Sequence, residues 1–273
     1  MMIARGGARA SVAMSAAPGL LPTGMTAHER FLFDLNGFLV VRNVFTPEEV
    51  RAANAAIDAN AASMRARDAQ ALRNAKTDTP FSAAGPRKDM GGMLWWPREQ
   101  SAFFRSVLTH PKLVPYYTAL LGEGYRMDHQ PLVIAQDAQS EGFSLHGGPI
   151  KSDGRFNPEL QYRCVHGDIW TSLLACSVQL CDHNENEGGF VVVRGSHKLN
   201  LPVPADVANG LGGDDVNAHL YQPTTKECLP PEPPPLSTLI LTSTEPRTIL
   251  TLTRRATSCY FPRQPSMARS HGE

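Results

Sequence analysis

The chain has 273 residues, enough for one well-buried domain, and Lys plus Arg equal Asp plus Glu at 26 each. With a formal net charge of +0, no basic stripe and no aromatic-interleaved Arg cluster, it lacks the electrostatic footprint of a nucleic-acid binder, which leaves a small molecule as the expected partner. No apolar run approaches the roughly twenty residues of a membrane span, and the five cysteines (Cys164, Cys176, Cys181, Cys228 and Cys259), an odd number without a C-x-x-C pair, read as reduced thiols.

Residues 1–27 carry Arg5 and Arg9, no acidic residue and many Ala, Gly, Ser and Met. This is the bias of an organellar transit segment and equally of a plain disordered terminus, so the expected location is cytoplasmic or organellar. On either reading, 1–27 is expected to lie outside a single domain spanning 28–273. That domain divides into a helical part over 28–122 and a sheet core from 123 onward.

Within the helical part, 29–35 predicts a short helix stopped at Asn36-Gly37, followed by a strand over 38–41. Thr46, Pro47 and Glu49 form a Thr-x-x-Glu start with proline at the first helical position. A helix should therefore run from 47 to about 64 with Val50, Ala53 and Ile57 as its apolar stripe. The Pro, Gly, Ser and Asp content of 77–92 marks a loop, and two more helices are expected over 99–109 and 112–121, the second ended by Gly122. Residues 125–135 are the first strand candidate of the sheet core.

Leu174, Cys176, Val178 and Leu180 recur with period two along 169–180, while the other face carries Leu173, Ala175, Ser177 and Gln179. A polar turn over 184–189 precedes the apolar run Phe190-Val191-Val192-Val193 and a second turn at Arg194-Gly195-Ser196-His197-Lys198. Gly188 and Gly189 suit the positive φ of a tight turn, so a hairpin is predicted here. The stretch 222–235 is proline-rich and reads as a loop. After it come two short β-like runs, 239–241 and 249–252, in a divergent tail over 236–273.

Two stretches carry a resemblance. "LCDHNENEGGFVVVRGSHK" resembles the glycine turn and Gly-Ser-His segment of the phytanoyl-CoA dioxygenase family, and "FLFDLNGFLVVRNVFTPEEV" resembles the opening of the same family. The resemblance covers most of 29–203, with a divergent or truncated C-terminal part. It implies a mainly β fold with flanking helices (α+β), built on a double-stranded β-helix or cupin-like jelly roll. It further implies Fe(II) as metal and 2-oxoglutarate as cosubstrate.

The family holds iron with His-x-Asp and a distal His, leaving positions for cosubstrate and oxygen, and an Arg beyond the distal His grips the far carboxylate of 2-oxoglutarate. By order along the chain, the first ligand falls at Leu145-His146-Gly147-Gly148. His146 is the leading metal-ligand candidate, with Gly148 standing where the family has its carboxylate. Iron halogenases of the wider superfamily share that gap and place halide in it. The second candidate is His166-Gly167-Asp168, which has the literal His-x-Asp spacing; in a strand, i and i+2 share a face, whereas in a strand-initiating turn both groups are simply solvated. A mixed set of His146 with Asp168 is the third arrangement.

His129 and His197 read as structural histidines and His183 as an exposed turn residue, while Trp95, Trp96, Trp170 and Tyr162 serve either a core or a substrate cavity. No distal His with a following Arg is recognisable: His219 precedes the proline-rich loop, and His271 has no Arg behind it. The expected function is therefore an Fe(II)- and 2-oxoglutarate-dependent dioxygenase (hydroxylase) acting on a small organic or acyl substrate. The alternatives are a halogenase-like iron enzyme and a non-catalytic jelly-roll binding protein.

Overall fold

The computed structural model describes residues 1–4, 24–66, 79–82, 85–135, 140–151, 153–182, 189–223, 249–254 and 258–261, the last two segments by their backbone. In chain order the elements are β1 (Met2–Ala4), α1 (Ala27–Asn36), β2 (Phe38–Arg42), α2 (Pro47–Ala59), β3 (Arg65–Ala66), β4 (Lys88–Met90), α3 (Arg98–Thr109), α4 (Val114–Leu121), β5 (Arg126–His129) and β6 (Val133–Ala135). They continue with β7 (Arg163–Val165), β8 (Asp168–Trp170), β9 (Leu173–Val178), β10 (Gly189–Val193), α5 (Ala205–Ala208), α6 (Gly213–Asn217), β11 (Leu220–Tyr221), β12 (Ile249–Arg254) and β13 (Ser258–Phe261). The largest sheet runs β2-β12-β9-β1-β5, and three smaller ones run β11-β10-β13, β3-β4-β6 and β7-β8, all with antiparallel neighbours. Helices and small antiparallel sheets are thus combined as expected, but among the described residues the sheets do not close into a barrel.

Local chemistry explains the helix ends. Thr26 caps α1 by accepting the Glu29 N–H at 3.1 Å while the Glu29 carboxylate accepts the Thr26 N–H at 2.8 Å. Thr46 and Glu49 repeat the device at α2, with Pro47 in its first turn. Helix α2 stops at Ala59, short of the expected end near 64. Asn60 turns the chain there, its amide donating to the Ala56 carbonyl and to Gln100 Oε1, both at 2.8 Å.

The main core lies where α4 packs on β9 and α1 on the neighbouring β2, around Phe33, Leu113, Tyr117, Leu120, Leu121 and Leu174. Leu174 and Cys176 are buried, with Val178 and Leu180 packed against the same cluster, so the period-two face assigned from sequence is the core face.

Four features depart from the sequence reading. Met2–Ala4, expected outside the domain, instead form β1 between β5 and β9, with Ile3 fully buried. The run 125–135 is two strands, broken at Gln130-Pro131, where proline lacks a ladder donor. The run 169–180 is also two strands: β8 pairs with β7, and the chain changes sheets at Thr171–Ser172 before β9. Finally, β9 and β10 are not hairpin partners; β10 pairs with β11 and β13 in a different sheet, while residues 183–188 lie outside the described part.

The Gly-Ser-His turn is a clamp on the end of α1. His197 Nε2–H donates to the Asp34 carbonyl at 2.9 Å, Lys198 Nζ reaches Asp34 Oδ2 at 3.1 Å, and the Tyr162 hydroxyl donates to Asp34 Oδ1 at 2.6 Å. The His197 ring meets Tyr162 edge-on at 4.6 Å. His197 is accordingly structural, as its motif suggested. Burial pushes the Asp34 carboxyl up, but the Tyr162 hydroxyl, Lys198 and the His197 charge outweigh it and hold it below the usual carboxylate range. A carboxylate depressed in the folded state contributes stability above its unfolded pKa of about 3.9, and that contribution is lost as pH falls through the folded value. Thermal unfolding followed from about pH 6 downward should therefore drop most steeply below about pH 4, and Asp34→Asn should flatten that part of the profile.

Candidate functional site

His146 sits on the short segment 140–146, which is fixed by its backbone on two sides. The Glu141 N–H donates to the Gly85 carbonyl and the Gly142 N–H to the Phe81 carbonyl, both at 2.8 Å, while Gly85 and Ser140 form a parallel bridge. On the other side, the Leu145 N–H donates to the Ala208 carbonyl of α5 at 2.7 Å. Leu145 is buried with Phe81 and Val191 of β10, and Phe143, Val193, Val207 and Leu220 pack around them. This apolar cluster places the half-buried His146 beside the β10 sheet.

One contact bears on the tautomer of His146. Its Nδ1 lies 2.7 Å from the Ser144 carbonyl oxygen, which can only accept, so Nδ1 carries a proton, and in the neutral ring Nε2 then carries the lone pair. That is the tautomer in which Nε2 ligates a metal, with the second ring nitrogen oriented by a carbonyl. Next to it, Gly147 and Gly148 have φ of +146° and +77°. Position 148 is therefore left-handed backbone, which an aspartate adopts only at a cost of about 1 kcal/mol or more. Among the described residues no atom lies within 4 Å of where a Cβ would stand. A glycine turn with open space beside it among the described residues thus follows His146.

A buried ion pair adjoins the segment. Arg87 and Asp89 are 3% and 4% exposed, Arg87 Nε–H donates to Asp89 Oδ1 at 3.0 Å, and the guanidinium carbon lies 3.8 Å from the Phe143 ring centroid. The Phe143 ring is 6.0 Å from that of His146. Sequence reading missed this pair, since 77–92 was assigned to a loop on composition, whereas 88–90 form β4 between β3 and β6. The charged run Arg87-Lys88-Asp89 ahead of Met90, with residues two apart on one face of an extended chain, was the available signal.

His166 and Asp168 are placed differently. Val165 pairs with Asp168, leaving His166 and Gly167 as a two-residue turn with φ of +50° and +84°, and both His166 and Asp168 are exposed. The shared strand face that their spacing invokes does not exist here; the strand-initiating turn is what the chain forms. Arg30 of α1 fixes this turn by donating to the Gly167 carbonyl at 2.5 Å.

The remaining candidates are accounted for in part. Exposed His129 pairs with Asp128 at 2.6 Å, Trp96 packs edge-on to Phe104, Trp170 lies under Arg163, and Trp95 is 83% exposed. Arg194 stacks on Tyr221, and the exposed His219 receives the Arg194 N–H on its carbonyl. His183 and His271 lie outside the described residues. Among the described residues no three of His, Cys, Asp and Glu stand together as a metal cluster, so the fit to iron consists of one histidine in the ligand tautomer. Likewise no described helix is long and apolar enough to cross a membrane.

Comparison with known proteins gives the context of this site. Crystal structures of HygX from Streptomyces hygroscopicus share the fold: the form with nickel and 2-oxoglutarate bound aligns at a TM-score of 0.56 and 15% identity, over 88% of this chain and 82% of HygX. The apo form of HygX aligns at 0.50 and 15% identity over the same shares. No curated protein sequence matches the chain. The family model for phytanoyl-CoA dioxygenase matches residues 33–226, which include both β4 and His146, and the chain belongs to that family.

Proposed function

We propose that the chain is an Fe(II)- and 2-oxoglutarate-dependent oxygenase whose metal is held through His146, on a core of the double-stranded β-helix type. The observation that carries this reading is the tautomer imposed on His146 by the Ser144 carbonyl, inside the segment matched by the family. HygX, bound to nickel and 2-oxoglutarate on a similar fold, supports the choice of cosubstrate. Iron(II) with 2-oxoglutarate, when bound, supplies the oxidising power for attack on a substrate C–H bond. The residues of this chain hold and orient: Ser144 fixes the His146 ring, and Phe81, Phe143 and Leu145 give the site an apolar wall that excludes water. The substrate class is a small organic or acyl molecule, and the reaction a hydroxylation. His166 and Asp168 form the alternative ligand pair, which requires the β7–β8 turn to be brought to the metal.

A second reading has its own observation. The open space at Gly148 would accept a halide where hydroxylases carry a carboxylate, which supports a halogenase-like enzyme. A product that appears only with chloride separates it from a hydroxylase.

The test is anaerobic addition of Fe(II) and 2-oxoglutarate to the purified chain. The weak visible charge-transfer band of the chelated metal should appear, vanish in His146→Ala and persist in His166→Ala. A band lost with His166 instead transfers the ligand role to the turn. Absence of the band together with absence of retained iron favours the non-catalytic binding protein.

A further inference from the structure

We propose that His110 is a pH-operated cap for α4: the neutral imidazole closes the corner between α3 and α4, and the protonated ring releases it. His110 ends α3, and its carbonyl accepts the Leu113 N–H at 2.8 Å and the Val114 N–H at 3.0 Å, so the turn that leads into α4 starts from it. Pro111 follows, at a position where a first helical residue has no use for a donor. The Lys112 N–H then donates to His110 Nδ1 at 3.2 Å. A side chain that accepts the N–H two residues ahead, with proline between, does the work of a helix cap. Serine or aspartate in that role keeps its acceptor near neutral pH, whereas an imidazole loses it on protonation.

Three features of the corner oppose the charged ring. A proton on Nδ1 would face the Lys112 N–H in place of the lone pair. The N–H groups that begin a helix present positive partial charge, which disfavours a cation. The ring also lies edge-on to Phe45, with centroids 4.8 Å apart, and buried Phe45 packs on Phe103 at 4.6 Å. Among the described residues, Glu49 of α2 and Lys112 of the turn itself are the charged groups acting on His110, and 43–45 brings no titratable group. Burial holds the imidazole below the usual histidine range, with Glu49 opposing the shift and Lys112 adding to it. The corner is tied outward as well, since Lys112 Nζ donates to the Asn43 carbonyl at 2.5 Å and Leu113 is fully buried. A histidine depressed in the folded state contributes stability that is complete above its unfolded pKa of about 6.5 and is lost as pH falls from there toward the folded value.

NMR of the full-length chain reads both the titration of the His110 ring and the exchange protection of the Lys112 amide, corrected for the intrinsic exchange rate. The two conditions are about pH 7.5 and about pH 5.5, on either side of the ordinary histidine pKa of about 6.5. His110→Asn keeps a side-chain acceptor and cannot titrate, whereas His110→Ala removes the acceptor at both conditions. Protection in the wild type should fall by about 5-fold from the higher pH to the lower, the usual worth of a side-chain cap. His110→Asn should hold its protection across the same interval, and His110→Ala should show the lowered level throughout. Thermal unfolding of each variant reports folding alongside. If His110→Ala fails to fold, the wild type and His110→Asn decide. A His110 ring that titrates at or above about 6.5 in the folded chain overturns the proposal on the wild type alone. Protection that does not change with pH in the wild type, or that falls equally in His110→Asn, overturns it too.

Discussion

Gly37→Ala should destabilise the chain by about 3 kcal/mol, the sum of left-handed backbone strain and overpacking. Gly37 closes α1 with φ of +85°, its N–H donating to the Phe33 carbonyl at 2.8 Å. A Cβ there would stand 2.4 Å from His197 Nδ1 and 2.6 Å from Cγ. His197 cannot easily yield, since Nε2 is held by the Asp34 carbonyl and its ring by Tyr162. At about 2–4 °C per kcal/mol for a domain of this size, thermal unfolding should fall by about 10 °C. Gly92→Ala is the matched control, with φ of +81° and, among the described residues, no atom within 4 Å of the added Cβ. It carries the strain alone, about 1–2 kcal/mol. Equal losses in the two variants would remove the clamp from the explanation.

That clamp also shows which parts of the fold are legible in sequence. The Thr46-x-x-Glu49 start and the Asn36-Gly37 stop are local devices, readable because cap and capped group lie within three or four residues. The partner of the stop lies far away in sequence, at His197, and no local rule couples the two. The same limit explains β1, whose three residues become strand only by entering between β5 and β9. It also explains β9 and β10: their apolar patterns were read correctly, but pairing is decided by β11, β12 and β13.

The site divides in the same way. His146 is proposed from the order of elements and the family pattern, and the proton on its Nδ1 needs only a carbonyl two residues away. The turn at His166-Gly167 is legible from residues alone, because two residues with a glycine between strand-forming neighbours signal a hairpin, and it is the strand-initiating alternative to ligation that the chain forms. The Arg87–Asp89 pair was hidden by its surroundings, since β4 owes its existence to β3 and β6 on either side and its sequence neighbours are loop-forming.

Asp89→Ala should cost about 3–5 kcal/mol, more than any apolar truncation of similar size, because it takes away the carboxylate hydrogen-bonded to a buried guanidinium. The arginine is 3% exposed, so water reaches it only if the segment around Phe143 opens. Replacing both charges by apolar residues of similar volume, Arg87→Met with Asp89→Leu, should recover most of that loss, since the desolvation of both groups disappears with their attraction. Equilibrium denaturant unfolding of the two single variants and the double variant measures the coupling directly. Losses that simply add would mean that Asp89 is not the group that neutralises Arg87, and would move attention to buried Glu141 in the adjoining segment.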